Sequence, residues 1–221
     1  MPKKKPLETK SEATRRRLLD RALALFQKRG VEATTMRDIA KAAGLSLGAA
    51  YYYFPSKDAL VFAYYEDNVR DLEKLGERAE GTLRERLGVI FHGKLDGIRP
   101  QRKMLAAIVA RLADPGDPLS AFSQQSRNVR ERSVAVLERA IADGVPAEIA
   151  PLAANALWLL MMSLLLVYIN DDSPGEKRTH GLVDDALDMI VGMLPMLGTP
   201  VGKALCDRVT AALARADVSL V

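Results

Sequence analysis

Few side chains in this chain could do chemistry, and their spacing argues against turnover. There is one cysteine, Cys206, and two histidines, His92 in Phe91-His92-Gly93 and His180 in a polar stretch. No Ser or Cys nucleophile motif, Gly-rich phosphate loop or framed pair of carboxylates accompanies them. Cys206 cannot form an internal disulfide, and with two histidines so distant it cannot complete a four-ligand zinc site. Asp184 and Asp185 are neighbours in sequence, hence on different faces of a helix, and read as solvated charge. No catalytic residue, metal or cofactor is therefore expected. What remains is Tyr51-Tyr52-Tyr53, Lys57 and the basic runs Lys3 to Lys5 and Arg15 to Arg17. Rings, hydroxyls and positive charge suit noncovalent contact with a polyanion, since each phosphate neutralised releases counterions.

The charge is unevenly placed. Of 221 residues, 32 are Lys or Arg and 28 are Asp or Glu, but residues 1–57 hold 13 basic and 5 acidic side chains, so the rest is net acidic. Opposite signs imply different partners for the two parts. The bland alternative for Lys3 to Lys5 and Arg15 to Arg17 is a solvated tail and helix face. With 48% apolar residues, the chain has the composition of an ordinary globular protein of one large domain or two small ones. Its basic N-terminus is followed by no apolar run, unlike a secretory signal. The longest apolar stretch, Ala156 to Ile169, contains Ser163 and falls short of the roughly 20 residues that cross a bilayer. A cytoplasmic protein with no membrane partner is expected.

The elements that must position the tyrosines are helices. Alternating β-branched stretches are missing, and Ala, Leu, Glu and Arg recur at three- and four-residue spacing, so the chain reads as all-α. Thr9 and Glu12 form a possible capping box before a stripe of Leu18, Leu19, Ala22, Leu25 and Phe26, which ends at Gly30. A first helix over Ser11 to Arg29 follows. Thr35 with Asp38 caps a short second helix carrying Ile39, Ala40 and Ala43, which stops at Gly44. Ser46 caps a third from Leu47 to about Tyr53, Pro55 blocks its continuation, and Ser56 caps a long fourth helix from Lys57. Turn residues then delimit helices over about Thr82 to Asp96, Gln101 to Ala113, Leu119 to Asp143, Pro146 to Asn170, His180 to Met196 and Val201 to Asp217. Asp114-Pro115-Gly116-Asp117-Pro118 is a loop, and Asp171 to Arg178 another.

Two short helices joined by a tight glycine-bearing turn form a helix-turn-helix. Ala40 is small so that the helices cross closely, and Gly44 supplies a left-handed backbone. Ile39, Leu45, Ala50 and Phe54 face inward, which leaves Leu47, Gly48, Ala49, Tyr51 and Tyr52 outward. An exposed aromatic pair on a short helix wastes apolar surface unless something covers it.

Thr35, Ile39-Ala40, Ala43-Gly44-Leu45-Ser46, Gly48, Tyr51, Phe54, Lys57 and Leu60 together resemble the DNA-binding domain of the TetR family of transcriptional regulators, over about Ser11 to Leu60. The resemblance implies an N-terminal three-helix helix-turn-helix domain followed by a larger helical domain that binds an effector and dimerises. The expected divisions are a flexible basic tail at 1–10, the DNA-binding domain at 11–57 and the effector domain at 58–221. It further implies a homodimer on a palindromic double-stranded operator, nucleoid-associated, with an effector altering the separation of the two reading helices. Leu47, Gly48, Ala49 and Tyr51 stand where the family touches base edges. Thr35, Ser46, Tyr52, Tyr53 and Lys57 stand where it holds phosphates. Tyr51 can offer its ring to a thymine methyl and its hydroxyl to a base or phosphate, and Gly48 permits close backbone approach. Tyr53 departs from the histidine common there, and Ala49 and Ala50 cannot hydrogen-bond to bases through their side chains, which shifts selectivity toward DNA shape. Tyr53 is alternatively a core aromatic under the fourth helix.

In the second part, Leu157 to Ile169 is apolar all round and must be covered on every face. The helix bearing Leu182, Val183, Ala186, Leu187, Ile190, Val191 and Leu194 is a companion, and the resemblance places the dimer bundle on these two, near 150–170 and 180–196. Met104, Ile108, Phe122, Trp158, Met161, Met162 and Leu165 are candidates to line a pocket for a small apolar or aromatic effector, although Met and Leu at helical spacing are commonly plain core. The reading is an effector-responsive repressor. The alternative is a small-molecule sensor or carrier without sequence-specific DNA binding.

Overall fold

The computed structural model describes residues 9–114 and 116–215. Lys3 to Lys5, Pro115 and the expected end of the last helix at Asp217 lie outside the described residues. The described residues form ten α-helices: α1 (Lys10–Arg29), α2 (Met36–Ala43), α3 (Leu47–Tyr53), α4 (Lys57–Arg78), α5 (Leu83–Ile98), α6 (Arg102–Ala113), α7 (Arg127–Ile141), α8 (Ala150–Asn170), α9 (Lys177–Met193) and α10 (Pro200–Arg215). Among the described residues there is no strand. The chain is all-α, with α1 to α3 forming the N-terminal helix-turn-helix unit and the remaining helices a larger bundle.

Local chemistry accounts for the helix starts. Thr9 with Glu12, Thr35 with Asp38 and Thr82 with Glu85 are reciprocal capping boxes, each satisfying orphan N–H groups of a first turn. Ser46 and Ser56 accept from Ala49 N at 3.1 Å and Ala59 N at 3.0 Å, starting α3 and α4. Gly44, at φ 67°, ends α2 in the left-handed region, where a side chain would be strained. Leu18, Leu19, Ala22, Leu23 and Phe26 on α1 are buried against Ile39, Ala40, Ala50 and Phe54 in one continuous cluster that extends through α4 into the bundle. Buried packing is thus unbroken across the Lys57–Asp58 division, because α4 belongs to both sides.

Among the boundaries that differ from the sequence expectation, α8 begins at Ala150 rather than Pro146, and two others are set by side-chain bonds. Leu119 to Asp143 is not one helix, since residues 116–126 form turns and α7 begins at Arg127. The serines there take over the backbone: Ser120 Oγ donates to Leu112 O and accepts from Phe122 N, while Ser123 Oγ donates to Pro118 O and accepts from Ser126 N. Local side-chain bonds of this kind compete with a helical ladder. The other boundary is α9, which starts at Lys177 rather than His180, organised by Asp171. Its carboxylate accepts from Ser173 N and Oγ and from Thr179 N and Oγ at 2.6 to 2.9 Å.

The apolar stretch in α8 also proves longer than expected. Uncharged residues from Ala150 to Asn155 extend it, and α8 is long and apolar enough to cross a membrane. Ala153, Ala154, Leu157, Trp158, Met161, Leu164 and Tyr168 are nonetheless buried inside the protein.

The Asp171 turn supports a prediction. Bonds from Ser173 and then Thr179 hold its carboxyl well below the usual carboxylate range. A carboxylate bonded in the native state stabilises it fully above about pH 4 and loses that contribution as pH falls toward its lowered folded value. Asp171→Ala should therefore lower Tm at pH 7, leaving the buried Thr179 N–H without a partner. The gap to wild type should close as melts are repeated below pH 4.

Candidate nucleic-acid interface and ligand cavity

α3 is pinned by its inner face and open on its outer one. Ala50 and Phe54 are buried, while Tyr51 and Tyr52 are 48% and 83% exposed. Gly48 is exposed, and a Cβ there would meet nothing within 4 Å. Leu47 and Ala49 are half-buried beside it. Tyr53 turns inward and packs against the core, its hydroxyl 3.5 Å from Ser11 Oγ and its ring edge-on to Tyr52. That geometry accords with the core reading of Tyr53 as much as with a phosphate contact.

Thr35, Tyr51 and Lys57, far apart in sequence, meet around one surface hollow of about 380 Å³, together with Thr34, Met36, Pro55, Ser56 and the carboxylate of Glu32, 4.0 Å from Lys57 Nζ. The N-termini of α2 and α4 both border it. First-turn N–H groups and the helix dipole favour an anion at such a place. Two of the three side chains have prior commitments. Thr35 Oγ1 donates to Asp38 Oδ2 and accepts from Asp38 N. Lys57 Nζ donates to Val31 O at 2.7 Å and to Glu32 O at 3.3 Å, which leaves one of its three N–H groups for a phosphate. Ser46 and Tyr52 lie outside the hollow, Ser46 with its hydroxyl engaged in its cap. Arg16 is tied to Asp20 and Asp67, and Arg15 sits 4.6 Å over the Phe54 ring, so the basic run on α1 is partly structural.

Behind this head, α4, α5, α6, α7 and α8 enclose a cavity of about 280 Å³. Phe122, Trp158, Met161, Met162 and Leu165 line it; Met104 and Ile108 do not. Those two point into the fully packed side of α6 and are buried core, so their helical phase separates them from Leu105 and Leu112, which do face the cavity. Phe122, edge-on to Trp158, is half exposed, as are Leu159 and Leu166 of the same lining. The cavity reaches the surface there.

Most of the lining was missed from sequence, including four residues with polar heads, Tyr64 and Asn68 on α4, Lys94 on α5 and Arg130 on α7. Lys94 carried a signal. It occupies the same stripe as Leu87, Ile90, Phe91, Leu95 and Ile98, all buried, and a lysine at an apolar position is anomalous. Burial pushes its ammonium down to about 8. Arg130 is lowered by burial as well, and donates to Ala121 O at 2.8 Å.

A second unanticipated feature joins head to cavity. Arg111 on α6 grips Asp58, in the first turn of α4, at 3.1 and 2.9 Å and Asp117 at 2.7 and 3.2 Å. Bonds to Asp58, then Asp117, hold its guanidinium above its ordinary range, and Arg111 in turn lowers Asp117. Asp117 also accepts from the N–H of Leu119, a lining residue. Glu32, in the turn between α1 and α2, lies 3.8 Å from Arg111.

The two histidines also meet. His92 Nδ1 and His180 Nδ1 are 2.8 Å apart, so one ring donates and the other accepts, and His92 Nε2 faces Asp184 Oδ1 at 3.0 Å. Asp184, still half exposed, is more than a solvated charge: Arg84 Nη2 bonds it at 2.8 Å, and Arg84, then His92, lower its carboxyl. Among the described residues no group of three His, Cys, Asp or Glu side chains could hold a metal ion.

Comparison with known proteins gives this geometry its context. A model of bacterial regulatory proteins of the tetR family matches residues 18–64, and one of the tetracyclin repressor-like C-terminal domain matches residues 86–207. The chain is 30% identical over 183 residues to the HTH-type transcriptional repressor KstR of Mycolicibacterium smegmatis, covering 81% of this chain and 86% of that one. It is 30% identical over 154 residues to the HTH-type transcriptional regulator AcrR of Shigella flexneri, covering 65% and 71%. Among solved structures, Salmonella enterica GusR superposes with a TM-score of 0.64 at 26% identity, over 84% of this chain and 97% of that one. A TetR regulator from Nitrosomonas europaea shares the fold with a TM-score of 0.65 at 21% identity, over 79% and 96%. The helix-turn-helix head, the helical bundle behind it and these matches across both lead to one conclusion: the chain belongs to the TetR family of transcriptional regulators.

Proposed function

We propose that this protein is an operator-binding repressor, released from chromosomal DNA in the cytoplasm by a small apolar or aromatic effector. The observation that carries the reading is α3. It exposes Tyr51, Tyr52 and Gly48 on one side and stands beside a hollow bordered by two helix N-termini. Leu47, Gly48, Ala49 and Tyr51 read base edges in the major groove, and Thr35, Lys57 and Tyr52 hold the backbone in register, with Ser46 and Tyr53 at the edge of that contact. The KstR relative is a transcriptional repressor, which favours repression as the sign.

Pairing occurs through α8 and α9. Leu166 and Val167 on the first and Leu182, Met189 and Met193 on the second are exposed apolar side chains, and a second copy of the chain is the partner that would cover them. Phe122, Trp158, Met161, Met162 and Leu165 contact the effector. Its binding favours a state of the dimer whose two α3 helices no longer match the half-site spacing, and differential affinity of the ligand for that state drives release.

Selection and sequencing of bound genomic fragments should return a palindrome, with log affinity falling steeply as log salt rises. On that operator Tyr51→Ala should cost about 1–3 kcal/mol, and much less on random duplex. An equal loss on both would assign Tyr51 to packing; a wild-type protein indifferent to every fragment would end the repressor reading.

A further inference from the structure

Lys94 is placed oddly for a structural lysine. It lines an otherwise apolar cavity, and the partner of its Nζ is a neutral oxygen, Asn68 Oδ1, at 3.4 Å. Among the described residues no carboxylate comes within 4 Å of that ammonium. Lys94 is half-buried, and a charge drawn partly out of water without a counterion is costly, so the cavity is one that an anion would improve. A second, independent observation lies on the facing helix. The hydroxyl of Tyr64, another lining residue, is buried without a hydrogen-bond partner. Burial pushes its phenol up to about 12, so at neutral pH it is a donor. Asn68 Nδ2 is committed to Tyr64 O at 2.9 Å. The Lys94 ammonium therefore keeps unused donor capacity in the lining, the Tyr64 hydroxyl is a second unused donor buried within the same lining, and α6 and α8 supply apolar surface.

We propose that the cavity binds an apolar monocarboxylate, its head seated between the Lys94 ammonium and the Tyr64 hydroxyl and its tail along α6 and α8. Lys94 and Tyr64 offer one donor to each oxygen of a carboxylate, while the Arg130 guanidinium of the same lining is already bonded to Ala121 O. The proposal rests on the effector-cavity reading above and names the ligand class for it. Other charged or titratable groups near Lys94 are Asp71 on α4, which raises it slightly, and Tyr65 and Arg130 in the same lining.

Calorimetric titration of the full-length protein with decanoate and with 1-decanol tests this. Wild type should bind the acid about tenfold or more tighter than the alcohol at pH 7, roughly the 1.4 kcal/mol of a tenfold ratio. Lys94→Met should erase that preference while the alcohol's affinity stays within about threefold, and Tyr64→Phe should narrow it. Raising the pH from 7 to 9.5, through the value of about 8 at which Lys94 deprotonates, should weaken decanoate and spare decanol. Equal binding of acid and alcohol by wild type, an unchanged preference in Lys94→Met, or no binding of either probe by folded protein overturns the proposal. Operator affinity measured on the same preparation separates the two readings. DNA binding without acid preference rejects the carboxylate site and leaves the regulator. Acid preference without DNA binding does the reverse.

Discussion

Gly48→Asp should remove operator binding while leaving the protein at least as stable as wild type. Gly48 is the second residue of α3, and a Cβ there would meet no other atom within 4 Å. Replacing a helical glycine by alanine recovers about 0.5–1 kcal/mol of backbone entropy, of which aspartate, a poorer helix former, keeps a part, and a carboxylate in the first turn adds about 0.3–1 kcal/mol against the helix dipole. Nothing within the fold opposes these gains. On the DNA side, in the proposed reading, the same carboxylate places bulk where the backbone would approach base edges, and like charge beside phosphates. A loss of about a hundredfold or more in affinity, some 2.7 kcal/mol, is expected. Anisotropy titration on the selected operator and a thermal melt check the two halves separately. Retained affinity would exclude α3 from the groove, and a lost fold would mean that Gly48 is needed for packing.

Arg111→Ala should leave ligand bound but DNA deaf to it. The guanidinium joins Asp58 at the start of α4 to Asp117 of the cavity loop, and that loop carries Leu119, Ala121 and Phe122 into the lining. On the proposed reading, a shift of the loop on ligand entry would be passed to the N-terminus of α4, which also carries Lys57 and borders the surface hollow. Coupling of this kind commonly amounts to about 1–3 kcal/mol, or 5- to 150-fold in affinity. In the variant, the ratio of operator Kd values with and without saturating effector should fall toward one, while calorimetry reports the effector still binding. Lys at this position keeps the charge but not the fork that grips two carboxylates, so Arg111→Lys should be intermediate. A full response in Arg111→Ala would mean that the signal travels another way, for instance along α4 itself.

Capping explains why so much of the head was legible. Thr9, Thr35, Ser46 and Ser56 each start a helix through a bond to a residue three positions on, and Gly44 ends one through its own backbone freedom. Such interactions are local, so order along the chain suffices to read them. The same locality misled around Leu119 to Ser126, where apolar spacing suggested a helix but four serine hydroxyl bonds formed turns instead.

Side-chain partners across helices are another matter. His92 and His180 are 88 positions apart in sequence and 2.8 Å apart in the fold; Arg111 reaches Asp58 across 53 positions. Met104 and Ile108 had the same apolar character as Leu105 and Leu112, and only the rotation of α6 within the bundle sorts core from cavity. Residue order therefore specifies where helices begin, which faces are greasy and which short helix bears exposed tyrosines, because those follow from bonds and periodicity within a few turns. The cavity, the lone ammonium of Lys94 and the Arg111 link arise where five helices pack against each other, and the depth and angle of that packing depend on all of their surfaces at once.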